Sequence, residues 1–305
     1  MAKQSEVFGN TKIKLSKQDR VFYAIVYTIV TVMTVSVLYP VLYVLACSFS
    51  SPNAVGSGQV YLWPVEFSVK GYQLVFGYSD VWIGYRNTIF YTICCTVNNL
   101  IFTMMPAFAM SGPRIPGYKG FTVFFLISMY FGGGLIPTYL LYKDIGYVNT
   151  IWAIIVPGAF SVYQMIVCRT FMNSNIPLEM IEATKIDGCS DVRFFIQFVL
   201  PLSKAILAVM TLNFAVGQWN SYFAAHIYLQ DSNLYPLQSF LRKILVLGQL
   251  SEDQYMDPEE HEKLRGMSDL LKYALIVVAT APIMCVYPFI QKYFVQGIMI
   301  GSLKG

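Results

Sequence analysis

Charge is what this sequence has least of. Only 12% of its 305 residues are Asp, Glu, Lys or Arg, against about 25% in an ordinary soluble domain. Histidine is scarcer still: His226 and His261 stand alone, neither with a ligand partner at useful spacing, which argues against a zinc site. No Gly-Lys pair occurs, so there is no G-x-x-x-x-G-K-[ST] loop to cradle nucleotide phosphates. G-x-S-x-G and H-E-x-x-H are missing too, and with them the common hydrolase and metalloprotease signatures. The six cysteines, Cys47, Cys94, Cys95, Cys168, Cys189 and Cys285, form no C-x-x-C and lie in or beside apolar stretches. They read as small hydrophobes.

What is present is apolar length. Hydrophobic residues make up 56% of the chain and mean hydropathy is +0.53. A helix needs about 20 apolar residues to cross a bilayer core about 30 Å thick. Cutting the chain at its charges leaves six windows near or above that length: 21–49, 87–113, 120–142, 145–168, 205–230 and 273–291. The predicted fold is therefore an all-α membrane protein of six transmembrane helices, with residues 1–20 preceding a single domain over 21–305. "VLAC" at 44–47 looks like a lipoprotein cleavage box, but 26 uncharged residues precede Cys47, whereas a signal core has about 7–15. Residues 21–49 are accordingly expected to stay as the first span.

Basic residues set the expected orientation. With the N-terminus inside, the inner segments carry 13 Lys/Arg and 6 Asp/Glu, and the outer ones 8 and 11. Both termini are then cytoplasmic, and the net +4 reflects this asymmetry rather than nucleic-acid binding. The windows contain no Asp, Glu, Lys or Arg, whereas most ion-coupled transporters keep an ionisable residue at mid-membrane. Nor do they hold a catalytic cluster. Six crossings without an energy source leave a passive pore or a borrowed motor.

One segment breaks the pattern. "NSNIPLEMIEATKIDG", 173–188, reads as a short helix. Asn173 to Asn175 are cap candidates, Pro177 suits the first turn, and Glu179, Glu182 and Lys185 suit the helix dipole. Gly188 can take the left-handed stop. A second amphipathic stretch, 190–200, leads to Pro201, so two short helices meet at a glycine. A surface helix solvating a loop or lying on lipid would have the same pattern.

The residues of this segment resemble the permease subunits of binding-protein-dependent ABC importers. Their signature is E-A-A, three residues, Gly, nine residues, Ile, one residue, Leu-Pro; here Glu182, Ala183, Thr184, Gly188, Phe198, Leu200 and Pro201 stand at those positions. Thr184 replaces the second alanine and Phe198 the isoleucine. "RNTIFYT" (86–92), "AFAMSGPRIPGYKG" (107–120), "IPTYLLYKDIGYVNTIWAIIVP" (136–157), "GQWNSYF" (217–223), "YPLQSFLRKIL" (235–245) and "YPFIQKYFVQGIMIGSLKG" (287–305) resemble the carbohydrate branch, specifically the second, six-span subunit of maltose-type importers.

The resemblance implies the type I importer permease fold, with segment 173–201 as a coupling helix seated in a cytoplasmic ATPase and Glu182, Ala183, Thr184, Asp187 and Gly188 at the contact. It also implies a bacterial plasma membrane setting and four kinds of partner: a second related permease, two ATPase subunits holding ATP and Mg, an extracellular solute-binding protein, and lipid. No cofactor and no enzymatic activity are expected of this chain itself. The outer segment 231–269, expected to be a solvated loop with a short helix near Pro258, and the first outer loop, 50–80, would meet the binding protein.

Polar and flat side chains within the windows are the pathway candidates: Asn98, Asn99, Tyr163, Gln164, Asn213, Gln218, Trp219, Asn220 and Tyr222. Aromatic faces with neighbouring amides suit sugar rings and hydroxyls, although Asn and Gln also serve as glue between membrane helices and Trp and Tyr mark interfaces. A non-sugar organic solute, or a secondary transporter, are the alternative readings.

Overall fold

The computed structural model describes residues 16–111, 117–250, 266–286 and 288. Every regular element among them is helical. In chain order these are α1 (Lys17–Ser48), α2 (Pro52–Gly56), α3 (Lys70–Gly77), α4 (Ser79–Ala109), α5 (Tyr118–Tyr130), α6 (Leu135–Asp144), α7 (Trp152–Ile155) and α8 (Val162–Asn175). Then come α9 (Leu178–Ile186), α10 (Asp191–Phe194), a π turn (Phe195–Val199), α11 (Leu200–Leu202), α12 (Lys204–Trp219) and α13 (Phe223–Tyr228). A 3-10 turn (Ser232–Leu234), α14 (Leu237–Leu250) and α15 (Gly266–Val286) complete the set.

Among the described residues three helices, α1, α4 and α15, are each long and apolar enough to cross a membrane. Two bent pairs bring the number up to five if each is one span, and each is equally a re-entrant loop by its geometry: α5 with α6, turning through 105°, and Asp191–Leu202 with α12, turning through 82°. The first bend falls at Gly132–Gly134, where Gly134 has φ +84°. The window 145–168 departs from a simple span. Its helix stops at Ile155 and restarts at Val162, with Pro157 and Gly158 (φ +77°) between. Window 205–230 is likewise interrupted after Trp219. Residues 237–250, expected as loop, are helical, whereas the expected helix near Pro258 and the stretch 289–305 lie outside the described residues.

Helix α1 starts on a capping box: the Ser16 hydroxyl accepts from Asp19 N–H at 3.1 Å and Ser16 N–H donates to the Asp19 carboxylate at 3.2 Å. Thr28, Thr34 and Ser36 each donate to the carbonyl four residues back at 2.8 Å, which hides their hydroxyls from an apolar surround. Only Ala46, Cys47 and Ser48 of this helix are fully buried, and no residue of α5 or α6 is. Such faces suit lipid or a neighbouring membrane subunit.

Helix α4 is the axis on which the rest is hung. Its 31 residues extend roughly 46 Å at 1.5 Å each, and it packs against α3, α7, α8, α12 and α14. Around its C-terminal end lies a core rich in methionine: Met104, Phe108, Met165, Met172, Phe194, Ile206 and Met210. Around its N-terminal end Val81 meets Val75, Leu237, Leu275 and Val278 from α3, α14 and α15.

The N-terminal end of α4 also holds down the chain that follows α13. The Asn87 amide donates to the carbonyls of Asn233 at 2.7 Å and Tyr235 at 3.0 Å. The Tyr91 hydroxyl donates to Leu234 C=O at 3.0 Å, and the Thr88 hydroxyl accepts from Leu237 N–H at 2.8 Å. Gly84 completes the fit, since a Cβ there would lie 2.9 Å from Leu237 Cα. Asn87→Leu leaves two carbonyls without donors, and losing such bonds costs about 1–3 kcal/mol per stranded group. Thermal unfolding in detergent should show a clear drop in midpoint for Asn87→Leu, and an unchanged midpoint would contradict the clamp.

Candidate functional site: a two-helix elbow and a polar helix face

The segment singled out by its charge is an elbow of α9 and α10. Helix α8 continues through Asn173–Asn175, so these residues form its last turn rather than capping the next helix, and Pro177 is the N-cap of α9 instead of lying in its first turn. The stop at Gly188 is as expected. With φ +74°, its N–H donates to Lys185 C=O at 3.0 Å and Cys189 N–H donates to Thr184 C=O at 2.9 Å. This pair of bonds is the Schellman arrangement, which a residue with φ > 0 must close. Ser190 then caps α10, accepting from Arg193 N–H at 3.3 Å.

One side of the elbow is fastened and the other is bare. Phe194 is 3% exposed and packs with its ring centroid 6.2 Å from Phe108 of α4, while Phe195 sits 5.0 Å from the same ring. Ile176 is buried in the same core, and Met180 and Ile181 pack against it. On the bare side Glu182, Ala183, Asp187 and Gly188 are exposed, and Ile186, 87% exposed, is the most exposed of the large apolar side chains among the described residues. Among those residues the one ion pair is Lys272–Asp269, so the carboxylates of the elbow have no cationic partner among the described residues. Thr184, the departure from the signature, donates to Met180 C=O at 2.9 Å or Ile181 C=O at 3.0 Å. Its hydroxyl is satisfied within the helix, which explains why a threonine is accepted where the pattern has alanine. The elbow therefore presents an exposed surface on a packed root.

The pathway candidates divide. Asn98 donates to Ile155 C=O at 3.0 Å, satisfying a carbonyl at the broken end of α7. Asn99 and Asn220 donate to carbonyls four residues back, Cys95 at 2.8 Å and Val216 at 2.9 Å. Trp219 departs furthest from the expectation of an open stacking face. It is 6% exposed, its ring meets Tyr85 edge-on at 6.4 Å, and its indole N–H donates to Ala279 C=O at 2.9 Å. It is a strut between α12 and α15. Beside it the Tyr85 hydroxyl donates to Val278 C=O, the carbonyl that Pro282 cannot serve because proline has no N–H. Neither Tyr85 nor Phe194 was singled out from sequence; the proline four residues after Val278 was the available signal for Tyr85.

The remaining candidates are open. Tyr163 is exposed and Gln164 half-buried in the first turn of α8, where the Ser161 hydroxyl accepts from Gln164 N–H at 3.4 Å. On α12, Asn213, Gly217 and Asn220 are all exposed, and their spacing of four and three places them on one face. Gln218 is half-buried beside them. A polar face on an otherwise apolar span turns towards protein or water rather than lipid. Tyr222 lies just beyond α12, with the Arg242 guanidinium 4.6 Å above its ring.

An all-helical body with several membrane-length helices, an exposed elbow and a polar face on one of its helices is a build that suits a transport permease. Residues 14–300 match the family described as binding-protein-dependent transport system inner membrane component, and the chain belongs to that family. It is a multi-pass membrane component of such a system. It is 35% identical over 268 residues to the protein LplC of Bacillus subtilis (strain 168), covering 88% of this chain and 90% of that one. It is also 33% identical over 293 residues to the polygalacturonan/rhamnogalacturonan transport system permease protein YtcP of the same organism, covering 94% and 100%. Among solved structures it is similar to a bacterial ABC transporter involved in the import of the acidic polysaccharide alginate. The TM-score is 0.82 at 33% identity, over 92% of this chain and 99% of that one.

Proposed function

We propose that this chain is one of two permease subunits enclosing the path of an ATP-driven importer for oligosaccharides. A solute-binding protein delivers the sugar from outside, and two cytoplasmic ATPase subunits, which hold the ATP and Mg, grip the elbow of α9 and α10. On this reading both termini and the elbow face the cytoplasm, and the chain does no chemistry on the sugar. The observation that carries it is the elbow itself: exposed carboxylates, without an ion pair among the described residues, and a bare Ile186 on a root packed into α4, α8 and α12. Closure of the ATPase pair moves the elbow, and Phe194 hands the motion to the helices that line the path. Six crossings are counted on this reading, with the interrupted segment 145–168 as the fourth.

The path runs along the polar face of α12. Asn213, Gly217 and Asn220 offer amides and a gap to sugar hydroxyls, and Gln218, Gln164 and Tyr163 extend that lining. Sugar is favoured over other organic solutes by relatives whose names specify saccharides, and over a secondary transporter by apolar windows without an Asp, Glu, Lys or Arg to relay ions. Glu182→Arg in the complete importer tests the motor contact. Assembly is expected to persist while sugar uptake linked to ATP falls by at least about tenfold, the equivalent of one lost charge-assisted bond. Normal uptake by an assembled Glu182→Arg complex would refute the assignment.

A further inference from the structure

The pair of Arg242 and Tyr222 stands apart from the elbow, near the other end of α12. Tyr222 occupies the turn between α12 and α13, two residues past Asn220, and Arg242 lies on α14 with its side chain exposed. Each partner is anchored independently. The end of α12 is tied to α15 by the bond from Trp219 to Ala279, and the start of α14 is tied to α4 by the bond from Leu237 N–H to Thr88. The guanidinium is thus held over the ring, 4.6 Å from its centroid, by two elements that are separately fixed.

No carboxylate among the described residues is within ion-pairing distance of Arg242 or of its exposed neighbour Lys243. An arginine supported on an aromatic ring keeps the N–H donors at its planar edge available. That edge matches the two oxygens of a carboxylate, which it can bind through parallel N–H···O bonds. A neutral sugar offers hydroxyls but nothing that uses the charge.

We propose that Arg242, carried on Tyr222, reads a carboxylate on the arriving sugar and makes this chain selective for uronate-containing oligosaccharides. The inference rests on the oligosaccharide reading above and adds to it a specificity residue. Lysine retains the charge but not the planar fork, so Arg242→Lys should keep part of the selectivity and Arg242→Gln none.

The test uses the complete importer in proteoliposomes with its binding protein at saturation, measuring uptake of trigalacturonate and of its neutral counterpart galactotriose. The expected result is that Arg242→Gln lowers trigalacturonate uptake about tenfold, the scale of one charge-assisted hydrogen bond. Galactotriose uptake and basal ATP hydrolysis should stay as they were, and Arg242→Lys should be intermediate. Equal losses for both sugars would overturn the proposal, since they mean that Arg242 serves packing or pairs with an acid of this chain. Unchanged trigalacturonate uptake would overturn it too. A parent importer that moves galactotriose and not trigalacturonate would overturn the selectivity while leaving the oligosaccharide reading intact. One that hydrolyses ATP and moves neither sugar would remove both.

Discussion

Phe194→Ala is expected to uncouple the importer while leaving its helices in place. The side chain is 3% exposed and packs with Phe108 of α4 in the core that includes Met172, Val199 and Met210. Truncating a buried phenylalanine costs about 3–5 kcal/mol, partly through the cavity left behind. Here that cost falls on the joint between the elbow and the helices that it would move on the proposed function. The complex should therefore hydrolyse ATP and import little, and its unfolding midpoint in detergent should fall. Phe194→Leu fills most of the volume and should recover most of the uptake. If Phe194→Ala imports normally with normal stability, the root of the elbow is not where force is transmitted.

Gly188→Val should have an effect of similar size for a different reason. At φ +74° a residue with a Cβ pays roughly 1–2 kcal/mol, and a β-branched one more. Relaxing that strain breaks the bonds to Lys185 and Thr184 that close α9, so the angle between α9 and α10 changes. No heavy atom lies within 4 Å of a Cβ built at Gly188, hence the penalty is backbone conformation and not collision. Uptake linked to ATP should fall by at least about tenfold, the ratio equivalent to 1.4 kcal/mol. Gly188→Asn should retain most of the activity, because asparagine tolerates the left-handed region. Equal behaviour of the Val and Asn variants would show that the conformation at 188 is immaterial.

Much of the helical content was legible in the chain because lipid imposes so simple a demand. Uncharged runs located α1, α4 and most of α15, and a lone glycine after "EATKID" marked the turn at 188. What escaped has physical causes. Charges end an uncharged window but need not end a helix, so α4 begins at Ser79 and includes Asp80 and Arg86. Hydropathy likewise does not register a break whose freed carbonyls are served from another helix, as Asn98 does for Ile155. Helix α14 was missed although Leu237, Phe240, Leu241 and Ile244 repeat at helical spacing and pack on the core with Val81; its polar face disguised it as loop. Trp219 illustrates a further gap. A flat ring near the end of a span can stack on a sugar or brace a helix, and only its bond to Ala279 separates the two. Trp219→Phe keeps the bulk and removes that bond, and should lower the unfolding midpoint in detergent by an amount equivalent to about 1 kcal/mol.

The central claim is that the elbow is held by a nucleotide-hydrolysing partner, and site-directed crosslinking tests it most directly. A single cysteine at Ile186, in an importer whose native cysteines have been replaced, should crosslink to an ATPase subunit, with a yield that changes when ATP binds. Free reaction of that cysteine with a water-soluble maleimide in the assembled importer, with no crosslink to the ATPase in any nucleotide state, would contradict the account.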